Sequence, residues 1–231
     1  LYYSDKKDRP GNIGVPALGV TLKLVPQEGK LEARLKSPSI TPGYWRNPAL
    51  TEAAFDEEGF YKLGDALRFA VPGDPSAGFI FDGRLAENFK LATGTWVAVG
   101  ALRAALVNAM GGLISDAVIA GEERNDLRAL LVPNWVALRD LAGGAEDALA
   151  HPAVQAALSE RLSAHARTAT GSATRVVAAR VLEEPLSFDL GEVTDKGSVN
   201  QRAVLRERAD LAASLWSGGP KVILADWKGR T

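Results

Sequence analysis

The chain has 231 residues, of which 46% are hydrophobic and 24% charged, and its 27 Lys and Arg against 28 Asp and Glu give a net charge of −1. These values are typical of globular proteins and exclude collagen-like, disordered and coiled-coil chains. The balanced charge offers no extended basic surface for a nucleic acid, and the absence of cysteine excludes disulfides, thiolate nucleophiles and Cys-ligated zinc.

No apolar run reaches the ~20 residues that a membrane-spanning helix needs. The chain begins at Leu1 rather than Met, and its first residues lack the charged-then-apolar order of a signal peptide. We therefore expect a cytoplasmic protein with no membrane partner, and we expect Leu1 to be an interior position of a longer polypeptide.

Residues 14–81 contain short alternating runs bounded by Pro and Gly, which predict β-strands. Glu58-Gly59 and Asp82-Gly83 are typical of hairpin turns. A helix is predicted over 48–55, because Asn47 can cap its N-terminus and proline suits its first turn. The predicted strands are 20–25, 30–35, 60–63 and 79–81.

After residue 84 the composition shifts to Ala, Leu and Arg, and the apolar period changes from two towards 3.6. A helix over 102–110 is expected to end at Gly111-Gly112. Strands alternating with helices indicate an α/β domain. The predicted strands are 117–120, 127–132 and 175–182, and the further predicted helices are 152–167 and 201–216.

The fold class is therefore α+β, with residues 1–84 forming a β-rich unit and residues 85–231 a small α/β domain. The change of pattern lies near residues 84–90, with few residues between the two parts. The chain is long enough for one large core or two small ones.

The sequence has no GxxxxGK[ST] phosphate loop, no GxSxG elbow, no HExxH helix and no GxGxxG after a strand. His151 precedes a proline and His165 lies in a polar helical stretch, so both are expected to be surface histidines rather than catalytic ones.

Three places can carry chemistry. Asp65 follows a glycine at the end of a strand, where a carboxylate can accept bonds from two adjacent hydroxyls. Arg84 and Lys90 flank the carboxylate of Glu87 at the domain boundary, which suits a phosphate or ribose. Lys196 lies beside a glycine on a loop and can neutralise charge developing on an oxyanion. Taken singly, the three places are better explained as a capping Asp, a solvated turn and a solvated lysine.

The order and spacing of several segments resemble the second half of adenylate-forming enzymes of the acyl/aryl-CoA synthetase superfamily. Within it, Phe89-Lys90-Leu91-Ala92-Thr93-Gly94-Thr95-Trp96-Val97 and Thr194-Asp195-Lys196-Gly197 are most similar to feruloyl-CoA synthases. The likeness covers essentially the whole chain, and its segments are 9–16, 43–48, 51–65, 83–84, 89–97 and 194–197.

The resemblance implies a β-rich end of a large domain over residues 1–84 and a C-terminal lid domain over residues 85–231. It implies an enzyme that joins a carboxylate to ATP with magnesium and then transfers the acyl group to coenzyme A, with feruloyl-CoA or a related hydroxycinnamoyl-CoA as product. By resemblance, Lys196 is expected to be the catalytic lysine. The resemblance also implies that Glu87 is the hinge and that the nucleotide and coenzyme A contacts are Asp65, Arg84, Lys90, Gly94 and Trp96.

Three departures from the family pattern accompany this resemblance. The hinge residue Glu87 is Asp in many relatives, and one extra residue stands between Lys90 and Gly94. A gapless alignment puts Ser198 at the usual lysine position, so either Lys196 acts from a shifted loop or the adenylation lysine is missing.

The family's Gly-rich phosphate loop, acid pocket and magnesium-binding Glu lie in an N-terminal portion, which is the expected partner. No residue of this chain is assigned to a metal, and a homodimer stays open. Taken alone, the 231 residues are not expected to catalyse adenylation. The alternatives are a ligase for another acid and a non-catalytic module that binds nucleotide, coenzyme A or a partner chain.

Overall fold

A computed structural model describes residues 2–3, 11–27, 29–219 and 221–228. It divides into two compact units, Leu1–Asn88 and Phe89–Thr231. The beginning of the chain around Arg9 and Pro10, which contributes to the resemblance, lies outside the described residues.

The first unit is a six-stranded antiparallel sheet in the order β1-β2-β6-β5-β4-β3. Alternating side chains form a small core around Ala33, Leu67 and Phe79, with the rings of Phe69 and Phe79 5.4 Å apart. The four predicted strands are confirmed as β3 to β6, although β5 and β6 are longer than predicted, and β1 and β2 were not predicted. The strand bounds are β1 Tyr2–Tyr3, β2 Asn12–Pro16, β3 Thr21–Gln27, β4 Lys30–Lys36, β5 Tyr61–Val71 and β6 Asp74–Arg84.

The helix predicted between β4 and β5 is confirmed as α1, Pro48–Ala54. The Asn47 side chain accepts a hydrogen bond from the Leu50 amide at 3.0 Å, and proline occupies the first turn. After α1, Asp56 and Gly59 close the predicted turn, because the Gly59 amide donates to the Asp56 carbonyl at 2.8 Å.

The hairpin turn predicted at Asp82-Gly83 is wrong. Both residues lie within β6, and the chain turns instead after Val71, where Gly73 has a φ of +76°. Gly83, with a φ of +90°, sits where the β5–β6 register shifts by one residue. The Asp-Gly pair therefore forms a β-bulge, which needs the same left-handed glycine conformation as a turn.

The second unit contains a four-stranded sheet in the order β12-β11-β10-β9, with β10 and β11 parallel and the other pairs antiparallel. A separate two-stranded hairpin, β7–β8, precedes it and was not predicted. The strand bounds are β7 Phe89–Lys90, β8 Trp96–Val97, β9 Ile114–Ala120, β10 Leu127–Pro133, β11 Val176–Val181 and β12 Ile223–Leu224.

Helices cover both faces of this sheet. Alternate residues of β9 show the division, since Ile119 packs into the core with α2 and α4 whereas Val118 packs with α5 and α6. The helices are α2 Val99–Ala109, α3 Trp135–Leu141, α4 Pro152–Thr168, α5 Gln201–Glu207 and α6 Ala209–Ser217. No helix of the described residues is long and apolar enough to cross a bilayer.

The predicted helices at 102–110 and 152–167 are confirmed as α2 and α4, and α2 ends before Gly111 and Gly112, both at positive φ. Helix α3 was missed. The single helix predicted over 201–216 is wrong, because the chain breaks at Arg208 (φ −112°, ψ 38°) into α5 and α6. The Arg208 side chain is bound to a buried carboxylate outside the helix.

Candidate functional site

Asp65 and Arg84 face each other on β5 and β6. They are register partners, and Arg84 Nε lies 3.8 Å from Asp65 Oδ1. The Asp65 side chain is 36% exposed and that of Arg84 65% exposed. Burial raises the pKa of Asp65 above its ordinary value, and the charge of Arg84 opposes this rise. The structure therefore brings together a solvent-accessible carboxylate and a guanidinium that were predicted as separate contacts of the nucleotide.

Irregular strand pairing surrounds Asp65. The register of β5 shifts against β4 and also against β6 close to this residue. Gly64 on β5 has a φ of +69° and Gly83 on β6 a φ of +90°. Bulges redirect neighbouring side chains and are common beside binding sites. A Cβ at Gly64 would meet no atom within 4 Å, so its backbone conformation, rather than crowding, requires glycine.

The hairpin of the second unit carries Lys90, Gly94 and Trp96. Lys90 pairs with Trp96 across β7 and β8, and its Nζ lies 4.7 Å from the indole centroid. The Gly94 amide donates to the Leu91 carbonyl at 2.8 Å, and the Leu91 amide donates to the Thr95 carbonyl at 3.0 Å. With Gly94 at φ +78°, this is a three-residue hairpin loop closed by a glycine bulge.

The surface above Gly94 is open, because a Cβ there would meet nothing within 4 Å. The hairpin is fixed from below by the loop that follows β9. The Glu123 amide donates to the Lys90 carbonyl and the Ala92 amide to the Arg124 carbonyl, both at 2.9 Å. The hairpin thus exposes the Lys90 ammonium, the Trp96 indole and the Gly94 backbone close together, and hydrogen bonds to the loop after β9 hold it in place.

Lys196 lies at the tip of a second hairpin loop of the same geometry. The Thr194 amide donates to the Ser198 carbonyl at 2.8 Å, and the Gly197 amide donates to the Thr194 carbonyl at 2.8 Å. Gly197 takes the left-handed position with a φ of +77°. Within the part of the chain that the structure describes, the exposed Lys196 side chain makes no hydrogen bond or ion pair.

Ser198, the gapless counterpart of the family lysine, has a different place. Its carbonyl closes the hairpin and its amide donates to Thr194 Oγ1 at 3.2 Å. Ser198 is therefore part of the closing hydrogen bonds of this loop, whereas Lys196 projects from its end.

Two residues that the sequence analysis missed hold the base of this hairpin. Glu192 is fully buried, and its carboxylate accepts two hydrogen bonds from Arg208, at 2.6 and 2.8 Å. These bonds lower the pKa of Glu192, against the opposing effect of burial. The local sequence carries no signal for the pair, because the two residues are 16 positions apart and Arg208 falls within an apparently continuous helix.

Glu87 is the last residue of a short 3₁₀ turn, Leu85–Glu87, and is half-buried. The second unit begins two residues later, at Phe89. Its role as a hinge stays a prediction.

The contacts of the two histidines indicate structural rather than catalytic roles. His151 Nδ1 accepts a hydrogen bond from the Ala153 amide at 3.3 Å and so caps α4. His165 was expected at the surface, but it is only 8% exposed, and burial lowers its pKa. It lies on the face of α4 that packs inward.

Comparison with solved structures defines the class of fold. The adenylation domain of a carboxylic acid reductase from Segniliparus rugosus, in complex with AMP and a co-purified carboxylic acid, matches with a TM-score of 0.67 and 25% identity. The match covers 89% of this chain and 32% of that one. An anthranilate CoA ligase in complex with anthranoyl-AMP matches in fold, with a TM-score of 0.59 and 20% identity over 89% of this chain and 36% of the ligase. The chain has the fold of the C-terminal portion of adenylate-forming enzymes, as predicted.

Sequence comparison points the same way. The carboxylic acid reductase of Segniliparus rugosus is 30% identical over 207 residues, which are 89% of this chain and 16% of the reductase. An acyl-CoA ligase of Aspergillus oryzae is 38% identical over 78 residues, which are 34% of this chain and 13% of the ligase. The chain thus spans about a sixth of the reductase. No protein-family model matches the chain.

Proposed function

We propose that this chain is the C-terminal part of an ATP-dependent acid–thiol ligase. The enzyme activates an aromatic carboxylic acid as its acyl-adenylate and transfers the acyl group to coenzyme A. The observation that carries the proposal is the Asp65–Arg84 pair at two adjoining bulges, in a chain whose fold is shared with AMP-bound enzymes. Ferulate or a related hydroxycinnamate is the proposed acid, supported by the resemblance of segments 89–97 and 194–197.

In the first half-reaction, a carboxylate oxygen attacks the α-phosphorus of ATP, and the bond to the β-phosphate oxygen breaks to release pyrophosphate. Asp65 accepts hydrogen bonds from the two ribose hydroxyls. Arg84, whose charge opposes the effect of burial on the pKa of Asp65, contacts the nucleotide. Lys196 donates to the oxygens on which negative charge grows. A charged donor aimed at such oxygens is worth ~10²–10³-fold in rate.

In the second half-reaction, the thiolate of coenzyme A attacks the acyl carbon and AMP leaves. The open backbone at Gly94 lets a narrow thiol-bearing chain approach closely, and Lys90 and Trp96 flank its path. Among the described residues no three His, Asp or Glu side chains come close enough to hold a metal ion, and we assign no residue of this chain to magnesium.

The proposed partner is an N-terminal portion of the same enzyme, which supplies the acid pocket. Apolar side chains of the first unit that lie outside its strands support this proposal, because they are exposed and a neighbouring portion of the enzyme would cover them. Leu18, Trp45 and Leu50 are 105%, 86% and 46% exposed.

The test is thioester formation from ferulate, ATP, magnesium and coenzyme A, followed by absorbance. It is run with the chain alone, with a separately supplied N-terminal portion, and with the longer protein. Product from the longer protein or the reconstituted pair supports the ligase, and related acids offered in parallel identify the substrate. Absence of product from every sample and every acid would favour a non-catalytic nucleotide-binding module.

A second candidate is the acid-activating part of a carboxylic acid reductase. It is favoured by the reductase alignment, which reaches 89% of this chain. Adenylate formation without thioester release, together with an aldehyde when a reduced nicotinamide is added to the longer protein, would select this candidate.

A further inference from the structure

The hairpin that carries Lys196 has a buried ion pair, Glu192–Arg208, at its base. Glu192 immediately precedes the bridge between Val193 and Val199, from which the loop projects. Its backbone amide donates to the Ser187 carbonyl at 3.0 Å, and its carbonyl accepts from the Asn200 amide at 2.8 Å. The residue therefore bonds to the segment before the hairpin and to the segment after it.

Arg208 fixes the Glu192 carboxylate from the junction of α5 and α6. Its guanidinium binds both carboxylate oxygens and also donates to the carbonyls of Glu184 and Pro185, at 3.1 and 2.7 Å. The Ser187 amide donates to Glu192 Oε2 at 2.8 Å. Both carboxylate oxygens of Glu192 accept hydrogen bonds, and the Arg208 guanidinium donates from both of its edges. Neither side chain can therefore rotate without losing several hydrogen bonds at once.

We propose that Glu192 and Arg208 are positioning residues for Lys196, whose place at the hairpin tip they set by locking the hairpin base to the α5–α6 junction. The proposal rests on the proposed function of Lys196. It explains how a lysine two positions before the usual one can still serve adenylation. The Lys196 side chain makes no hydrogen bond or ion pair with the residues that the structure describes, so its position is set through the base of the loop.

A double-mutant cycle, measured on the rates of the two half-reactions in the longer enzyme, tests this proposal. Pyrophosphate exchange and acyl transfer from supplied acyl-adenylate are measured for Glu192→Gln, Lys196→Ala and the double variant. Glu192→Gln keeps the shape and removes the charge. We expect it to lower the kcat of exchange on the order of 10²-fold, with the KM for ATP and the transfer rate little changed, since small misplacements of reacting groups have effects of this size.

The double variant is decisive. If Glu192 acts through the lysine, Glu192→Gln changes exchange by less than about 2-fold when Lys196 is already Ala, which is the scatter expected for one shared effect. The proposal would be overturned if the effects of Glu192→Gln and Lys196→Ala on pyrophosphate exchange multiplied in the double variant. It would also be overturned if Glu192→Gln lowered pyrophosphate exchange and acyl transfer equally. Should Glu192→Gln fail to fold, Arg208→Lys enters the same cycle, because an ammonium keeps the charge but cannot bind four acceptors.

Lys221→Met is the matched control. It removes another Lys/Arg–Glu pair of the same unit, in which Lys221 Nζ donates to Glu183 at 2.6 and 2.8 Å, and we expect both half-reactions to be unchanged. Amide hydrogen exchange gives a readout that does not need activity. We expect Glu192→Gln to speed exchange at the Thr194 and Gly197 amides.

Failure of the proposed function and failure of this inference give different results. If the unsubstituted longer enzyme forms no adenylate, the proposed function fails, whatever the hydrogen exchange shows. A different result refutes only the positioning role: the unsubstituted enzyme forms adenylate and Lys196→Ala abolishes adenylate formation, but Glu192→Gln changes neither pyrophosphate exchange nor amide hydrogen exchange.

Discussion

Replacing Lys196 with Ala should separate the two half-reactions of the enzyme. The side chain is exposed at a hairpin tip and binds no described residue, so its removal should change the free energy of unfolding by no more than about 0.5 kcal/mol. Loss of one charged donor from a closed site corresponds to about 2.7–4 kcal/mol of transition-state stabilisation. We therefore expect adenylate formation to fall by about 10²–10³-fold.

Pyrophosphate exchange measures the first half-reaction, and acyl transfer from supplied acyl-adenylate measures the second. Transfer should fall far less than adenylate formation, because its bonds form and break at the acyl carbon while the phosphorus of the adenylate keeps all its bonds to oxygen. A swap variant, Lys196→Ser with Ser198→Lys, moves the lysine to the usual family position. The backbone amide and carbonyl of Ser198 hold this position at the closed end of the hairpin rather than at its tip, so a lysine there starts from a different place than Lys196, and we expect the swap to recover only part of the lost activity. Equal loss in both half-reactions, or full recovery by the swap, would refute the assigned role of Lys196.

Three further predictions concern the first unit and the β7–β8 hairpin. Asp65→Asn should raise the KM for ATP and leave the thermal unfolding temperature unchanged. Because burial raises the pKa of Asp65, the affinity for ATP should fall as the pH drops through that pKa. Arg84→Gln removes the opposing charge and should move this loss of affinity to higher pH. An ATP titration that is insensitive to both changes would contradict this role. Gly94→Ala forces a side chain into φ +78° at a cost of about 1–2 kcal/mol, and it should slow acyl transfer more than pyrophosphate exchange; the reverse order would exclude Gly94 from the thiol path. Although burial opposes the shift, the Phe60 amide and the neighbouring cations hold the pKa of Asp56 well below its usual 3.8. Its stabilisation is therefore complete above the ordinary pKa and lost as pH falls through the lowered one, so Asp56→Asn should flatten the acid limb of a urea-midpoint profile.

Much of the fold could be predicted from local sequence. Alternation with a period of two predicted four of the six strands of the first unit, β3 to β6, and the change towards 3.6 predicted α2 and α4. Asn47 followed by proline marked the start of α1. These signals are local because the capping group, the turn glycine and the apolar face of one element lie within a few residues of each other.

The candidate site residues were identified by resemblance and by residue type, and their grouping required the structure. Asp65 and Arg84 are 19 positions apart in sequence, and only the β5–β6 register places them opposite each other. Lys90 and Trp96 were predicted as separate contacts, and the unpredicted hairpin puts the ammonium on the indole. Cross-strand pairing of this kind depends on turn position and bulges, which the local pattern does not encode uniquely.

The sequence by itself determined the strands β3 and β4, the helices α1, α2 and α4 and the change of pattern near residue 84, and by resemblance it proposed which residues carry adenylation chemistry. The tertiary structure alone decided that Asp82-Gly83 is a bulge, that the last helix breaks at Arg208 and that Glu192 is buried. The physical reason is the same in each case. A glycine at positive φ, a helical Arg and a loop Glu each have several acceptable local environments, and a partner distant in sequence selects among them.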